Sequence, residues 1–189
     1  MVKTDLRVQY TRHALQKALL SILERKNIDR ISVKELCEAA SINRSTFYLH
    51  YGTPNDVLME IEEEFMRTHF EKFTPYLENE YQLDQLNTVF TSILSNADLC
   101  RIIMGPNGNP KFIEKIKSFI RDVTVTQWQR EFPKYRKAHL DYVFDFVFSG
   151  SMSLILNWIS DQTSISSEEL ANRLDRLGHY CHLAIKEFH

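Results

Sequence analysis

The sequence predicts an all-α protein with a small N-terminal head and a larger helical body. Only five glycines and five prolines punctuate 189 residues, so turn-forming residues are scarce. Apolar residues recur at helical spacing along most of the chain, and no segment requires a strand. With 43% hydrophobic and 25% charged residues, the composition is that of a globular protein and excludes wholesale disorder.

The first two helices of the head are indicated by an apolar stripe and a cap. Thr11 is expected to open the first helix, which ends near Asn27 and presents Leu15, Leu19 and Ile22 on one face. Ser32, followed three residues later by Glu35, forms a capping box that predicts a short second helix.

A third helix and a longer fourth one follow. Asn43 is the expected cap of a short helix that runs to about His50, and Gly52 breaks it. Residues 53–56 supply an N-cap threonine, a proline at the first helical position and an acidic third residue. The fourth helix is predicted to continue until Pro75. We therefore expect a head at residues 1–52 and a body at 53–189.

The body is predicted to contain five more helices. Their stripes cover residues 83–94, 99–104, 112–132, 135–159 and 166–188. The clearest loop in the chain, Gly105–Pro110, separates the second of these from the third. The 135–159 helix is apolar on nearly every side, which predicts cover on more than one face. The last helix spaces its apolar residues by four and three from Leu170 to Phe188, which predicts a packing seam.

Charge is distributed unevenly between the two parts. The net charge is −2, but the first 51 residues hold nine Lys/Arg against five Asp/Glu, a balance of +4 that leaves −6 for the rest. A basic head on an acidic body indicates that a polyanion contacts the head alone.

The second and third helices form a helix-turn-helix module, whose last helix is short enough to enter a DNA major groove. Its leading side chains are Arg44, Ser45 and Thr46, groups that can bond to base edges. Tyr48 and His50, one turn later, are suited to phosphate contacts. The alternative is an ordinary solvated polar helix.

The stretch Ile31–Gly52 resembles the signature of TetR-family transcriptional regulators. The Ala18-Leu19 pair before it and the Val57-Leu58 pair after it fit the same family. Asn43–His50 is most similar to the branch that contains dihydroxyacetone-kinase regulators.

The resemblance implies a set of roles for the head and the body. Ser32 and Lys34 match phosphate-contacting positions, while the Arg44, Ser45, Thr46 set matches base-reading positions and the Tyr48, His50 pair matches phosphate clamps. Members of the family are dimers that join through their last two long helices. Each body of such a dimer contains an inducer pocket, and ligand binding in that pocket changes the distance between the two heads.

Two positions depart from the family pattern. Ser41 stands where glycine is usual, in a turn that often requires positive φ, and this substitution is expected to cost about 1 kcal/mol. Pro54 replaces a lysine that commonly neutralises a phosphate, so the salt dependence of binding should be about one unit shallower.

A dimer is also expected on physical grounds. One head reads only a few base pairs, so specificity requires two heads about 34 Å apart on a palindromic site. The small residues around Gly150 would let a partner helix approach closely. The alternative is that the last two helices face their own core. An apolar inducer pocket is expected among the body aromatics, with candidates Phe112, Phe119, Trp128, Tyr142 and Phe148.

Other site classes are disfavoured. His179, Cys181 and His182 lie close together, but a structural metal site needs four ligands, so we expect no metal and no cofactor. No glycine-rich phosphate loop or nucleophile elbow is present, which disfavours an enzyme. Three scattered cysteines, with no secretory signal and no membrane-length apolar run, predict a cytoplasmic protein without a membrane partner.

These observations predict a homodimeric, ligand-responsive DNA-binding repressor whose partners are a double-stranded operator and an unknown small molecule. A protein-interaction module of the same fold, acting as a co-activator through a partner protein, is the alternative.

Overall fold

The computed structural model describes residues 2–70, 90–161 and 165–187, and every regular element within these ranges is helical. The helices are α1 Val2–Leu23, α2 Val33–Ala40, α3 Arg44–Tyr48, α4 Pro54–His69, α5 Ala97–Ile103, α6 Lys111–Glu131, α7 Lys137–Asp161 and α8 Ser167–Ala184. Short 3-10 turns occupy Ile28–Arg30 and Ile185–Glu187, and residues 90–94 are helical. The predicted all-α class is confirmed.

The chain divides into two compact units. The first joins Met1–Phe65 to the distant segment Ile102–Phe112, and the second contains Met66–Arg101 and Ile113–His189. The predicted end of the fourth helix at Pro75, most of the predicted 83–94 helix and the end of the last seam at Phe188 lie outside the described residues.

The core of the first unit is built as the apolar stripes predict. Leu15 and Leu19 of α1, Leu36 of α2, Phe47 of α3 and Leu58 of α4 are completely buried. Phe47 thus anchors α3 from behind and leaves the opposite face of this short helix free. The position of α3 is set by packing, since five residues are too few to hold a helix on their own.

The caps of α2 and α4 follow the predicted chemistry. The Ser32 hydroxyl accepts a hydrogen bond from the Glu35 amide at 3.2 Å, and the Thr53 hydroxyl accepts one from the Asp56 amide at 3.3 Å. The Asp56 carboxylate in turn accepts from the amides of Thr53 at 2.9 Å and Gly52 at 2.8 Å. These bonds to Thr53 and Gly52 lower the pKa of Asp56.

The first helix begins nine residues earlier than Thr11, at Val2, so the predicted start was wrong. The Thr11 hydroxyl donates to the Arg7 carbonyl at 3.0 Å, one turn back within the same helix. A threonine inside a helix satisfies its hydroxyl in this way, and it gives the same sequence signal as a cap.

The second unit has an aromatic core between α6, α7 and the chain end. Its buried members are Val125, Trp128, Phe132, Leu140, Phe144 and Ile185. Two ion pairs join α6 to α7: Lys117 with Asp145 at 2.9 Å, and Arg121 with Asp141 at 3.0 Å.

The seam predicted on the last helix is displaced. The buried face of α8 carries Leu170, Ala171, Leu174, Asp175, Gly178 and His182, whereas Leu177 is 53% exposed. The apolar residues spaced by four and three therefore lie along the edge of the buried face of α8.

Helix α7 is the one described helix that is long and apolar enough to cross a membrane, over Lys137–Ser160. A single helix of this kind is weak support for a membrane span, because the criterion rests on length and composition alone. Only 17% of its most apolar window is buried within the chain, less cover than the sequence predicts.

Candidate nucleic-acid interface

The turn between α2 and α3 is closed by the backbone rather than by glycine. Ser41 ends α2 in the left-handed conformation, with φ 56°. The family resemblance predicted a positive φ here, because glycine is usual at this position. The Ile42 amide donates to the Cys37 carbonyl at 3.0 Å and completes the turn. Ser41 therefore carries a conformational cost of about 1 kcal/mol that glycine would avoid.

Helix α3 presents a polar face to solvent. Arg44, Ser45 and Tyr48 are exposed, and Thr46 is half-buried. Asn43 occupies the N-cap position in an extended conformation, but its side chain makes no capping hydrogen bond. Within the part of the chain that the structure describes, the Asn43 side chain therefore leaves the first amides of α3 uncapped.

Arg44 is free to bind a ligand outside the protein. Within the described residues its guanidinium forms no hydrogen bond or ion pair. It borders a shallow groove of about 390 Å³ at the turn, lined also by Lys34, Cys37, Glu38 and Asn43. Burial raises the pKa of the Cys37 thiol, so this neighbour stays neutral at physiological pH.

The N-terminal turn of α2 places two further candidates at the surface. Ser32 is exposed while its hydroxyl caps the helix. Lys34 lies 3.9 Å from Glu38, and both side chains are about two-thirds exposed, at 65% and 67%. An ion pair this exposed is weak, so Lys34 can leave Glu38 for a phosphate at little cost.

The end of the module is held by a buried tyrosine. His50 is half-buried with its ring centroid 6.4 Å from that of Tyr51, whose own side chain is 7% exposed. The Tyr51 hydroxyl donates to Glu60 of α4 at 2.6 Å, and Arg12 of α1 contacts the other Glu60 oxygen at 3.2 Å. The candidate residues of α2, α3 and His50 thus share one compact unit with a fixed frame.

Sequence reasoning missed Leu49. It is 78% exposed and is the C-cap residue of α3, directly after Tyr48. Its spacing of four residues from Ser45 was the signal available in the sequence. An exposed leucine beside polar groups suits contact with a thymine methyl.

The predicted pocket residues occupy different surroundings. Phe112 is fully buried in the first unit, with its ring centroid 6.0 Å from that of Phe65. In the second unit Phe119 lies 6.3 Å from Phe70. Tyr142 is 74% exposed on α7, away from the core.

Trp128 and Phe148 belong to the aromatic core of the second unit. The ring of Phe148 stacks on Phe144 at 5.8 Å. Trp128 is 2% exposed, lies 5.7 Å from the ring of His182, and its indole N–H has no hydrogen-bond partner in the part of the chain that is described.

Of the predicted His179, Cys181 and His182 cluster, His182 is held by other contacts, whereas His179 Nδ1 is buried without a hydrogen-bond partner among the described residues. His182 Nε2 lies 2.9 Å from a Glu131 carboxylate oxygen, and its ring contacts Trp128 and Phe132. Among the described residues no group of three or more His, Cys, Asp or Glu is arranged to hold a metal.

The chain resembles known regulators in sequence and fold. Residues 80–180 match the TetR_C_8 family, a transcriptional regulator C-terminal region. An HTH-type transcriptional regulator of Bacillus subtilis strain 168, YxbF, is 26% identical over 144 residues, which are 74% of this chain and 38% of the relative. The chain therefore spans well under half the length of that relative.

Two solved structures share the fold. A TetR transcriptional regulator from Streptococcus agalactiae 2603V superposes with a TM-score of 0.66 at 19% identity, covering 93% of this chain and 97% of that one. The dihydroxyacetone kinase operon activator DhaS gives 0.55 at 15% identity, covering 90% and 94%. The family match extends over more than half of the chain, and the fold agrees with it: this protein belongs to the TetR family of transcriptional regulators.

Proposed function

We propose that the protein is a homodimeric, cytoplasmic, ligand-responsive repressor that reads a palindromic DNA operator with α3. The observation that carries the proposal is the exposed face of α3, where Arg44, Ser45 and Tyr48 stand opposite the buried Phe47. A buried anchor behind and free donors in front are what groove insertion requires.

Each head residue has a distinct task in this proposal. The Arg44 guanidinium pairs with a guanine edge, and Ser45 and Thr46 bond to neighbouring bases. Tyr48 and His50 contact backbone phosphates and fix the register. The uncapped amides at the start of α3 add an attraction for phosphate.

The N-terminal turn of α2 contributes further phosphate contacts. Ser32 and Lys34 lie exposed at the start of this helix, where the backbone dipole favours an anion. Lys34 exchanges its weak pair with Glu38 for the more strongly charged phosphate backbone.

The dimer is supported by apolar surface on the last two helices. Helices α7 and α8 pack against each other, yet Tyr142, Phe146 and Leu154 of α7 and Leu177, Tyr180 and Leu183 of α8 are 40–74% exposed. Six large apolar side chains exposed on two packed helices are typical of an interface. We propose that a second copy covers them through a symmetric contact.

Gly150 is suited to the centre of that contact. It lies exposed on α7, and a Cβ built on it meets nothing within 4 Å in one chain. The backbone is therefore open to close approach by a partner helix.

The ligand site is proposed in the aromatic core of the second unit, beside Trp128 and Phe148. Trp128 carries a buried N–H without a partner in the described chain, a donor that a ligand oxygen or nitrogen would satisfy. We therefore expect the inducer to be an aromatic or apolar small molecule with at least one hydrogen-bond acceptor.

Repression is proposed as the mode of action because an occupied operator that overlaps a promoter excludes polymerase without a further contact. A co-activator that works through a partner protein would not need the free Arg44 side chain.

A salt titration of duplex binding tests the proposal. Wild type should bind DNA at low salt with log K falling linearly against log salt, and Lys34→Ala should make the slope shallower by about 0.9 because one phosphate contact is lost. Lys134→Ala, which removes an exposed lysine of the second unit, is the matched control. Absence of duplex binding at low salt would contradict the proposal and favour the co-activator.

A further inference from the structure

The loop Gly105–Pro110 supplies hydrogen bonds to the head, about 80 residues away in sequence. The Asn107 side chain donates to the Leu23 carbonyl at 3.0 Å, and the Asn107 carbonyl accepts from the Ile28 amide at 2.9 Å. The Asn27 side chain donates to the Pro106 carbonyl at 3.2 Å. All five residues belong to the first compact unit.

These bonds complete the corner between α1 and α2. Leu23 is the last residue of α1, and its carbonyl is one of the terminal groups that a helix leaves without an internal partner. Ile28 opens the following 3-10 turn and is 5% exposed. Asn107 therefore closes one backbone group on each side of the corner.

A short bonded path connects this corner to the start of α2. The side-chain oxygen Oδ1 of Asn27 accepts a hydrogen bond from the Asp29 amide at 3.0 Å. The Ile31 amide donates to the Ile28 carbonyl at 3.1 Å. Ser32, the N-cap of α2, follows directly. The amides of Asp29, Arg30 and Ile31 are thus all hydrogen-bonded between the corner and Ser32.

The loop itself is held in one conformation. The Gly108 amide donates to the Gly105 carbonyl at 3.2 Å, and a Cβ at Gly108 would lie only 2.5 Å from the Ile103 carbonyl oxygen. The Asn109 side chain donates at 3.3 Å to Glu62, a carboxylate of α4 that is 2% exposed. The loop is therefore a fixed support for the corner.

We propose that Asn107 and Asn27 are positioning residues for DNA binding: through the α1–α2 corner they set the N-terminal turn of α2 against the operator phosphates. They do not contact DNA themselves. The inference rests on the proposed function of the head, and it adds residues of the 105–110 loop to those that determine DNA affinity.

Two variants isolate the amide bonds. Asn107→Ala removes the donor to Leu23 but keeps the backbone bond to Ile28. Asn27→Ser removes the donor to Pro106, while the serine oxygen can still cap the 3-10 turn. Gln129→Ala is the matched control, because Gln129 is an exposed amide of α6 without a hydrogen bond in the described chain.

The experiment measures affinity for a duplex selected by the wild-type protein, with each sample corrected for its active fraction. We expect Asn107→Ala and Asn27→Ser each to weaken binding about tenfold, the loss typical of one displaced charge-assisted contact. Gln129→Ala should bind as wild type does.

A double-mutant cycle separates positioning from general loss of stability. In a Lys34→Ala background the effect of Asn27→Ser should fall below about threefold, because the contact that it positions is already absent. In an Arg44→Ala background the full effect should remain. A variant that only lowers stability would reduce the duplex affinity by the same factor in both backgrounds.

Each outcome decides the matter. Equal affinity of Asn27→Ser and Gln129→Ala, or equal factors in the two backgrounds, would overturn this inference while leaving the proposed function intact. Wild-type protein that binds no duplex would overturn both. If Asn107→Ala fails to fold, Asn27→Ser carries the test alone.

Discussion

The Tyr51 hydroxyl donates a 2.6 Å hydrogen bond to the Glu60 carboxylate and so joins the end of the helix-turn-helix to α4. Arg12 of α1 contacts the other carboxylate oxygen at 3.2 Å, so three segments of the first unit meet at one acidic group. Burial, followed by the hydrogen bond to Glu60, raises the pKa of Tyr51.

Tyr51→Phe should lower the free energy of unfolding by about 1–2 kcal/mol at neutral pH, because Glu60 loses a donor. The folded pKa of Tyr51 lies above the unfolded value of about 10, so this contribution is complete below pH 10 and is lost as pH rises further. Urea denaturation at pH 7, 9 and 10.5 checks the trend.

The control for this change is Tyr10→Phe, since Tyr10 is 73% exposed. A Tyr51→Phe protein as stable as wild type at pH 7, or one whose deficit grows above pH 10, would contradict the assigned hydrogen bond.

Arg44→Ala should weaken operator binding by about 1–3 kcal/mol and relax the preference at one base position in each half-site. The reason is the loss of a paired hydrogen bond to a base edge. Competition with operators substituted one base at a time measures both effects. Arg136→Ala, an exposed arginine of the second unit, should leave affinity and preference unchanged.

Ser41→Gly should raise the free energy of unfolding by up to about 1 kcal/mol, because glycine adopts φ 56° without the strain that a Cβ imposes. Thermal denaturation of the two proteins measures the difference. The matched change Ser21→Gly, on the exposed side of α1, should destabilise by about 0.5 kcal/mol. Destabilisation by both would show that the turn has no strain to release.

Phe146→Glu should dissociate the proposed dimer. Phe146 is 73% exposed in one chain, so the change costs the isolated fold little. At a symmetric interface it would remove two buried aromatic rings and bury two carboxylates, which should raise the dimer dissociation constant by at least about 100-fold. Sedimentation equilibrium measures the constant. An unchanged constant, equal to that of the exposed α6 control Thr126→Glu, would place the interface elsewhere.

Several features that depend on neighbouring residues were predictable from the sequence, although Thr11 lies inside α1 and Asn43 makes no capping hydrogen bond. The caps at Ser32, Thr53 and Ser166 each require an oxygen and an amide three residues apart, and all three bonds form. The positive φ at Ser41 was predictable from the family resemblance, in which glycine usually stands at that position.

Features that depend on distant contacts were not predictable. The last helix buries His182 and exposes Leu177 because its rotation is set by the helices that pack on it, a choice that a local stripe does not record. The role of Asn107 in the head depends on Leu23, which lies 84 residues earlier. In sequence, Asn107 is one more polar residue in a loop.

The candidate site shows the same division. The exposed residues of α3 follow from the position of Phe47 in the stripe, whereas the exposure of Leu49 depends on where α3 ends, and the structure ends it two residues before His50. Boundaries of short helices are set by packing and are poorly specified by local sequence.

Selection of bound sequences from random duplex DNA tests the central claim most directly. The account predicts an enriched inverted repeat whose half-sites are centred about one helical turn, near 34 Å, apart, and a relaxed preference at one base position of each half-site with Arg44→Ala. A pool without enrichment after wild-type selection, or a consensus that Arg44→Ala selects equally well, would contradict it.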